Sequence, residues 1–155
     1  VKEEILEHYS TPSEKLQVVH NGVEWEKWSQ DFNHSFLEKR EGPFKFLFVG
    51  NGFRRKGLLF LLKGLELIKN EDFKLTVIGK DKEMDFFTQM AGRSLKNKVL
   101  FLGPQTDIRR YYQEADSLVI PSIYDPFANV TVEALAMGLF VISSKYNGGK
   151  EVLQL

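Results

Sequence analysis

The sequence has no cysteine, no excess of charge of either sign and no long apolar run. Without cysteine the chain forms no disulfide and has neither a thiolate nucleophile nor a cysteine-based zinc site. The 21 Lys and Arg residues balance the 21 Asp and Glu residues, so no net field attracts nucleic acid or an anionic membrane. The longest apolar run, residues 58–62, is far shorter than the roughly 20 residues of a membrane span. We therefore predict no nucleic-acid partner and no membrane span, and any anion site must be local.

The length and composition are those of one globular domain. The chain has 155 residues, of which 43% are hydrophobic, enough to bury an ordinary core. It begins at Val1, without an initiator methionine or the apolar core of a signal peptide. We therefore expect residues 1–155 to form a single, truncated domain cut from a longer protein.

Short β-rich runs alternate with segments whose apolar residues have helical spacing. Helices are predicted at residues 57–69, along 84–91 and along 108–115. Strands are predicted at residues 17–20, 44–49, 74–78, 98–102, 117–120 and 139–143, and residues 29–42 are predicted to be a loop or a short helix. The alternation predicts an α/β fold with a parallel sheet flanked by helices. The turns that follow the strands then share the carboxyl edge of the sheet, where such folds bind ligands.

A glycine-rich turn with three consecutive cations follows the second predicted strand. It runs through Gly50, Asn51, Gly52, Phe53, Arg54, Arg55, Lys56 and Gly57. Backbone N–H groups and a helix N-terminus suit a phosphate there, and the cations suit a diphosphate. Leu58 replaces the lysine of a Walker A loop, and Arg55 replaces the third glycine of the dinucleotide fingerprint, so neither motif is present. A solvated basic turn is the alternative.

Two carboxylates lie in the segment after the predicted strand 117–120. Pro126 keeps Asp125 out of helical geometry, and we predict a helix from Phe127 to Gly138 whose first N–H groups, up to Val130, point into the cleft. Glu133 then lies about two turns into the helix, where its carboxylate can accept two hydrogen bonds from a vicinal diol such as ribose. Alternatively, Asp125 is a turn residue and Glu133 a solvated helix position.

Taken in order, these elements resemble the family 4 group of retaining glycosyltransferases, which have the GT-B architecture of two Rossmann-like domains. The resemblance covers nearly the whole chain, from Val-Val-His-Asn-Gly-Val at 18–23 to Gly-Gly-Lys-Glu at 148–151. Asp125 and Glu133 match the Glu-x7-Glu signature of the family. The form Gly-x-x-Phe-x-Arg-Lys-Gly at 50–57 most resembles the glucosyltransferases of lipopolysaccharide core assembly.

The resemblance implies that the chain is the donor-binding half of a GT-B enzyme. That hexosyltransferase would move a hexose from a nucleoside diphosphate sugar, with a UDP-sugar such as UDP-glucose expected, to a glycan or lipopolysaccharide acceptor. The acceptor would bind the absent N-terminal domain, so the fragment alone is expected to be inactive. The resemblance also implies no metal or other cofactor. It further implies a cytoplasmic location, with the full-length protein in peripheral contact with the inner membrane.

The resemblance also implies specific roles for residues of this chain. Asp125 would hold the sugar, Glu133 the ribose, and Arg55 and Lys56 the departing diphosphate, with Arg54 in reserve. The expected catalytic set is Asp125, Glu133, Arg55 and Lys56. Donor contacts are implied for Gly50, Asn51, Gly52, Arg54, Arg55, Lys56, Gly103, Phe127, Ala128, Asn129, Val130 and Glu133. His20 is expected to be structural.

Three departures from the family pattern affect these roles. Asp125 is one methylene shorter than the usual first glutamate, and Asn51 stands where many members have arginine. Ala128 replaces a frequent glycine, and its methyl group is expected to crowd the donor. A non-catalytic Rossmann-type domain that binds a nucleotide or a protein partner is the alternative function. An epimerase is less favoured, because no histidine or carboxylate base for it can be located.

Overall fold

The computed structural model describes residues 2–30 and 42–153. Within these ranges five strands alternate with helices. The strands are β1 Phe44–Val49, β2 Phe73–Ile78, β3 Val99–Gly103, β4 Ser117–Ile120 and β5 Phe140–Ser143. The α-helices are α1 Lys2–His8, α2 Trp25–Ser29, α3 Leu58–Leu67, α4 Met84–Ser94, α5 Arg109–Glu114, α6 Asn129–Ala136 and α7 Lys150–Leu153, and a 3₁₀ turn spans Ser13–Lys15.

The strands form one parallel sheet in the order β3, β2, β1, β4, β5. The chain therefore builds β1 to β3 outward on one side and then returns to the centre, where β4 pairs with β1. This reversal of strand order is a topological switch point, and the helices that follow its two strands, α3 and α6, lie on opposite faces of the sheet. The predicted parallel α/β fold is confirmed, and its ligand crevice is expected between the carboxyl ends of β1 and β4.

Two apolar layers cover the two faces of the sheet. Because side chains alternate along a strand, Phe48 packs on one face with α3 and α4, whereas Leu47 and Val49 pack on the other with α5 and α6. Burial on both faces explains why the strands are nearly continuous apolar runs. Among the described residues, every helix is too short or too polar to cross a bilayer.

The predicted strand at residues 17–20 is wrong. These residues lie outside any strand, and Val18 and Val19 are 52% and 80% exposed. An apolar β-rich run becomes a strand only where a neighbouring strand pairs with it, and this segment instead crosses the loops at the carboxyl edge. The prediction for residues 29–42 falls mostly on residues 31–41, which lie outside the described residues.

Helix α6 is shorter than predicted. It begins at Asn129 because Ala128 has an extended backbone (φ −80°, ψ 107°), and it ends before Gly138, whose φ of 76° is left-handed. Glu133 therefore lies about one turn into the helix instead of two.

Candidate functional site

The loops that follow β1 and β4 touch at the switch point. The N–H of Ile123 donates to the carbonyl oxygen of Arg55 at 2.9 Å. Gly57 has a φ of +79°, and a Cβ atom placed on it would lie 1.9 Å from the carbonyl oxygen of Pro121. Real Cβ atoms do not approach oxygen so closely, so only glycine lets the two loops meet here.

This contact brings three of the predicted site residues together. Asp125 is only 6% exposed, and its Oδ2 accepts a hydrogen bond from Nζ of Lys56 in a nearly buried ion pair. Nη1 of Arg55 lies 3.5 Å from the same oxygen and donates to the carbonyl oxygen of Tyr124 at 3.1 Å. Two cations thus face one carboxylate, which leaves excess positive charge at the crevice.

The third cation of the turn lies apart from this cluster. Nη2 of Arg54 donates to Oε1 of Glu83 at 2.9 Å, and its guanidinium lies 5.4 Å from the ring centroid of Phe86. The hydrogen bond from Arg54 lowers the pKa of the exposed Glu83 carboxyl. The turn geometry therefore separates Arg54 from Arg55 and Lys56, a distinction that three consecutive cations in a sequence do not show.

The glycines and Asn51 hold the ends of neighbouring strands together. Oδ1 of Asn51 accepts the N–H of Lys80 at 2.9 Å, so its amide ties the turn after β1 to the turn after β2. A Cβ atom on Gly79 would lie 2.0 Å from the carbonyl oxygen of Gly50. Gly103, at the end of β3, accepts the N–H of Gly79 at 3.0 Å. Gly52, with a φ of +73°, has no atom within 4 Å of an added Cβ.

Glu133 lies in a separate environment on α6. Its Oε2 accepts a hydrogen bond of 2.8 Å from the hydroxyl of Tyr112, a residue of α5 that is 0% exposed. Burial raises the pKa of Glu133, and the bond from Tyr112 opposes that rise. Burial and the charge of Glu133 raise the pKa of Tyr112 well above its usual range, so its hydroxyl stays protonated as a donor. The structure thus pairs Glu133 with Tyr112, whereas Arg55, Lys56 and Asp125 contact one another.

The residue that organises the start of α6, Asn147, was not among the predicted site residues. Asn147 is 0% exposed, and its Oδ1 accepts the N–H groups of Ala128 and Gly149 at 3.1 and 3.0 Å. Its Nδ2 donates to Oγ of Ser143 at 2.9 Å and to Oγ1 of Thr131 at 3.3 Å. The only sequence signal for this role is a polar residue before two glycines, which does not distinguish a buried tie from an exposed turn.

Two expectations about the start of α6 are therefore corrected. The N–H of Ala128 does not point freely into the cleft, because Asn147 accepts it. The Ala128 methyl is not exposed at the cleft, since the residue is 2% exposed and packs in an apolar layer, as the side chain of Val130 partly does. The first N–H groups of a helix are usually unpaired. Ala128 has an extended backbone at the N-cap, and its N–H is directed at Oδ1 of Asn147 instead.

The segment 17–22 crosses this edge and contacts the remaining predicted residues. His20 stacks on Phe127, with ring centroids 5.8 Å apart, and its Nε2 lies 2.6 Å from Oε2 of Glu151. Nδ2 of Asn21 donates to Oδ1 of Asn129 at 2.7 Å. Between this segment, α1 and the loops after β4 and β5 lies a cleft of about 720 Å³, which Asp125 and Phe127 help to line. The structural role expected for His20 agrees with these contacts.

The sequence of the chain is similar to those of known glycosyltransferases. Residues 29–155 match the model of the family described as glycosyl transferases group 1. The chain is 30% identical to an uncharacterised glycosyltransferase of Methanocaldococcus jannaschii, over 99% of this chain and 42% of that protein. It is equally 30% identical, over 99% of its length and 42% of the relative, to the O-antigen chain mannosyltransferase RfbU of Salmonella typhimurium.

Solved structures agree in fold. A glycosyltransferase from Rickettsia africae superposes with a TM-score of 0.85 at 24% identity, over 99% of this chain and 44% of that one. Anabaena HepE in complex with UDP and glucose superposes with a TM-score of 0.77 at 21% identity, over 97% and 44%. The chain thus spans about two fifths of each of these proteins. With its Rossmann-like sheet, its Glu-x7-Glu-like segment and its match over residues 29–155, the chain belongs to the group 1 glycosyl transferases and has the fold of one half of a GT-B enzyme.

Proposed function

We propose that this chain is the donor-binding domain of a retaining hexosyltransferase, and that it holds a UDP-sugar across the crevice between β1 and β4. The observation that carries the proposal is the convergence of Arg55 and Lys56 on the single carboxylate of Asp125 at the switch point. A diphosphate needs local positive charge beside backbone donors, and here two cations outnumber one carboxylate at the carboxyl edge of the sheet. The UDP and glucose in HepE support uridine and a hexose as the donor parts.

In this proposal the cations stabilise the leaving diphosphate. Negative charge develops on the diphosphate as the bond between its oxygen and the anomeric carbon of the sugar breaks. Arg55 and Lys56 are already held in place to offset this charge. Such preorganised charge supplies what a divalent metal supplies in other transferases. Lys56 is held by Asp125, so it needs little reorganisation on binding. Asp125 uses Oδ2 for this pair, and we assign its other oxygen to a hydroxyl of the sugar.

Glu133 has the chemistry expected for the ribose contact. Its carboxylate is half-buried, and only Oε2 has a protein hydrogen bond among the described residues. A vicinal diol presents two O–H donors, which a carboxylate accepts more strongly than a neutral group does.

The sugar acceptor is proposed to be a glycan or lipid-linked glycan bound by another domain, as the name of RfbU suggests for that relative. Transfer, the inactivity of the isolated chain, a cytoplasmic location and a peripheral membrane contact remain parts of the proposal.

The donor site is tested by calorimetric titration of UDP into a set of variants. We expect Glu133→Gln to weaken UDP binding about tenfold or more, because the amide offers one weaker acceptor in place of a charged pair of oxygens. Lys56→Met alone would leave the nearly buried Asp125 with only its longer contact to the exposed Arg55, which is destabilising. The contribution of Lys56 is therefore read by comparing Lys56→Met/Asp125→Asn with Asp125→Asn alone, and we again expect about tenfold weaker binding in the double variant.

Matched exposed residues control for charge alone. Glu71→Gln and Lys63→Met alter exposed side chains on other surfaces, and both should bind UDP like the unaltered chain. Absence of UDP binding by the unaltered chain, or equal losses in the control variants, would contradict the donor site and would favour the non-catalytic domain.

Donor binding is also expected to be independent of divalent metal. Because Arg55 and Lys56 provide the positive charge, the dissociation constant for UDP should differ by less than about twofold between buffers with EDTA and with millimolar Mg²⁺. Calorimetry in the two buffers measures this directly. Binding that disappears in EDTA would show that a metal ion holds the diphosphate.

A further inference from the structure

The buried hydroxyl of Tyr112 has one hydrogen-bond partner among the described residues, and that partner is Glu133. Tyr112 is 0% exposed on α5, so no water replaces this partner without opening the core. A buried polar atom normally requires such a partner, and the 2.8 Å separation from Oε2 is typical of O–H donation to a carboxylate. The bond therefore fixes one oxygen of Glu133 with respect to the core.

The surroundings of Tyr112 restrict its ring. Trp28 of α2 contacts the ring edge-on, with centroids 5.9 Å apart at 66°, and the ring packs in the apolar layer that α5 and α6 share. The phenol therefore has little freedom to follow Glu133 if that side chain moves. By contrast, the neighbouring Tyr111 is partly exposed. Its hydroxyl donates to Oε1 of Gln105 at 3.0 Å and accepts a hydrogen bond from the guanidinium of Arg110.

We infer that Tyr112 is a positioning residue for the donor: it anchors Oε2 of Glu133 so that the rest of the carboxylate faces the ribose diol. This inference rests on the proposed function. A carboxylate on a free glutamate side chain samples several rotamers and would lose that freedom when it binds the diol. With one oxygen already held, less freedom is lost for each hydrogen bond formed. Tyr112 itself does not touch the ligand, and acts through Glu133.

The first test compares two nucleotides that differ only in the ribose hydroxyls. UDP and 2′,3′-dideoxyuridine diphosphate are titrated into the unaltered chain, Tyr112→Phe and the matched control Tyr111→Phe. We expect the preference for UDP over the dideoxy compound to fall about tenfold in Tyr112→Phe and to be unchanged in Tyr111→Phe. A merely structural role would weaken both nucleotides equally, and that result would overturn the inference.

The second test needs no ligand. The carboxyl carbon of Glu133 is followed by ¹³C NMR as a function of pH, and its signal is assigned by its absence in Glu133→Gln. Tyr112→Phe removes the hydrogen bond that lowers the pKa of Glu133, so this pKa should rise while Tyr111→Phe leaves it unchanged. The pH below which UDP affinity declines should rise with it, because the diol needs the ionised acceptor. An unchanged Glu133 pKa in Tyr112→Phe would contradict the inference.

The experiments distinguish a failure of UDP binding from a failure of the positioning role of Tyr112. If the unaltered chain binds no UDP, the proposed function fails and the ribose role of Tyr112 fails with it. If the chain prefers UDP over the dideoxy compound and Tyr112→Phe keeps that full preference, only the inference fails. Should Tyr112→Phe not fold, 3-fluorotyrosine incorporation keeps every hydroxyl but makes each a stronger donor. The pKa of Glu133 should then fall, and an unchanged value would again overturn the inference.

Discussion

Gly57→Ala is expected to lower the free energy of unfolding by about 3–5 kcal/mol and to abolish UDP binding. The left-handed backbone at φ +79° is costly for alanine, and the new Cβ atom would lie 1.9 Å from the carbonyl oxygen of Pro121. The loops after β1 and β4 must separate to relieve this overlap, which moves Lys56 away from Asp125. Chemical denaturation measures the stability, and calorimetry measures the nucleotide affinity.

Two other glycines separate the causes of this effect. Gly52→Ala introduces alanine at a similar φ of +73° but into open space, so it should cost only about 1–2 kcal/mol. Gly64→Ala replaces a glycine in the middle of α3 with nothing within 4 Å, and it should stabilise the chain by about 0.5–1 kcal/mol. A Gly57→Ala variant no less stable than Gly52→Ala would show that the two loops are not in contact.

Asn147→Ala is expected to destabilise the domain by about 3–5 kcal/mol, although its position in a loop would suggest tolerance. The change leaves the buried N–H groups of Ala128 and Gly149 without an acceptor, at about 1–3 kcal/mol each. It also removes the donor to Thr131 and Ser143. For a domain of this size the midpoint of thermal unfolding should fall by about 10 °C.

Asn70→Ala is the matched control, since Asn70 is exposed and lies in the turn between α3 and β2. Its free energy of unfolding should stay within about 0.5 kcal/mol of the unaltered chain. Equal stability of the Asn147 and Asn70 variants would mean that water replaces the side chain of Asn147 without cost.

The sheet could be predicted closely because its signal is local. A strand buried on both faces is a short apolar run between turn residues, and β1 and β4 were predicted with the bounds that the structure shows. The run at 17–20 has the same local pattern, yet it lies outside the sheet. Whether a run pairs depends on a free neighbouring strand, which is a property of the whole fold.

The site was predictable in its residue types but not in its internal contacts. The sequence predicts that the turns after the strands share the carboxyl edge of the sheet, which is where Lys56 and Asp125 lie, but their direct contact is seen only in the structure. Which of three consecutive cations faces inward depends on the φ and ψ angles of the turn, and the structure sends Arg54 to Glu83 instead. The apolar spacing along 108–115 predicts the helix that carries Tyr112, but spacing along one helix does not identify the hydroxyl partner on another.

The order of strands also determines which part of the domain can open locally. Lys56 and Asp125 are 69 residues apart in the chain, and β1 to β3 form one run of consecutive, mutually paired strands without β4. A local opening that releases β4 and β5 would therefore dissolve the crevice while β1 to β3 remain paired, and it would regain the chain entropy of a long loop. If UDP binds across both loops as proposed, it opposes that opening, and we expect amide hydrogen exchange in β4 and β5 to become slower when UDP is bound.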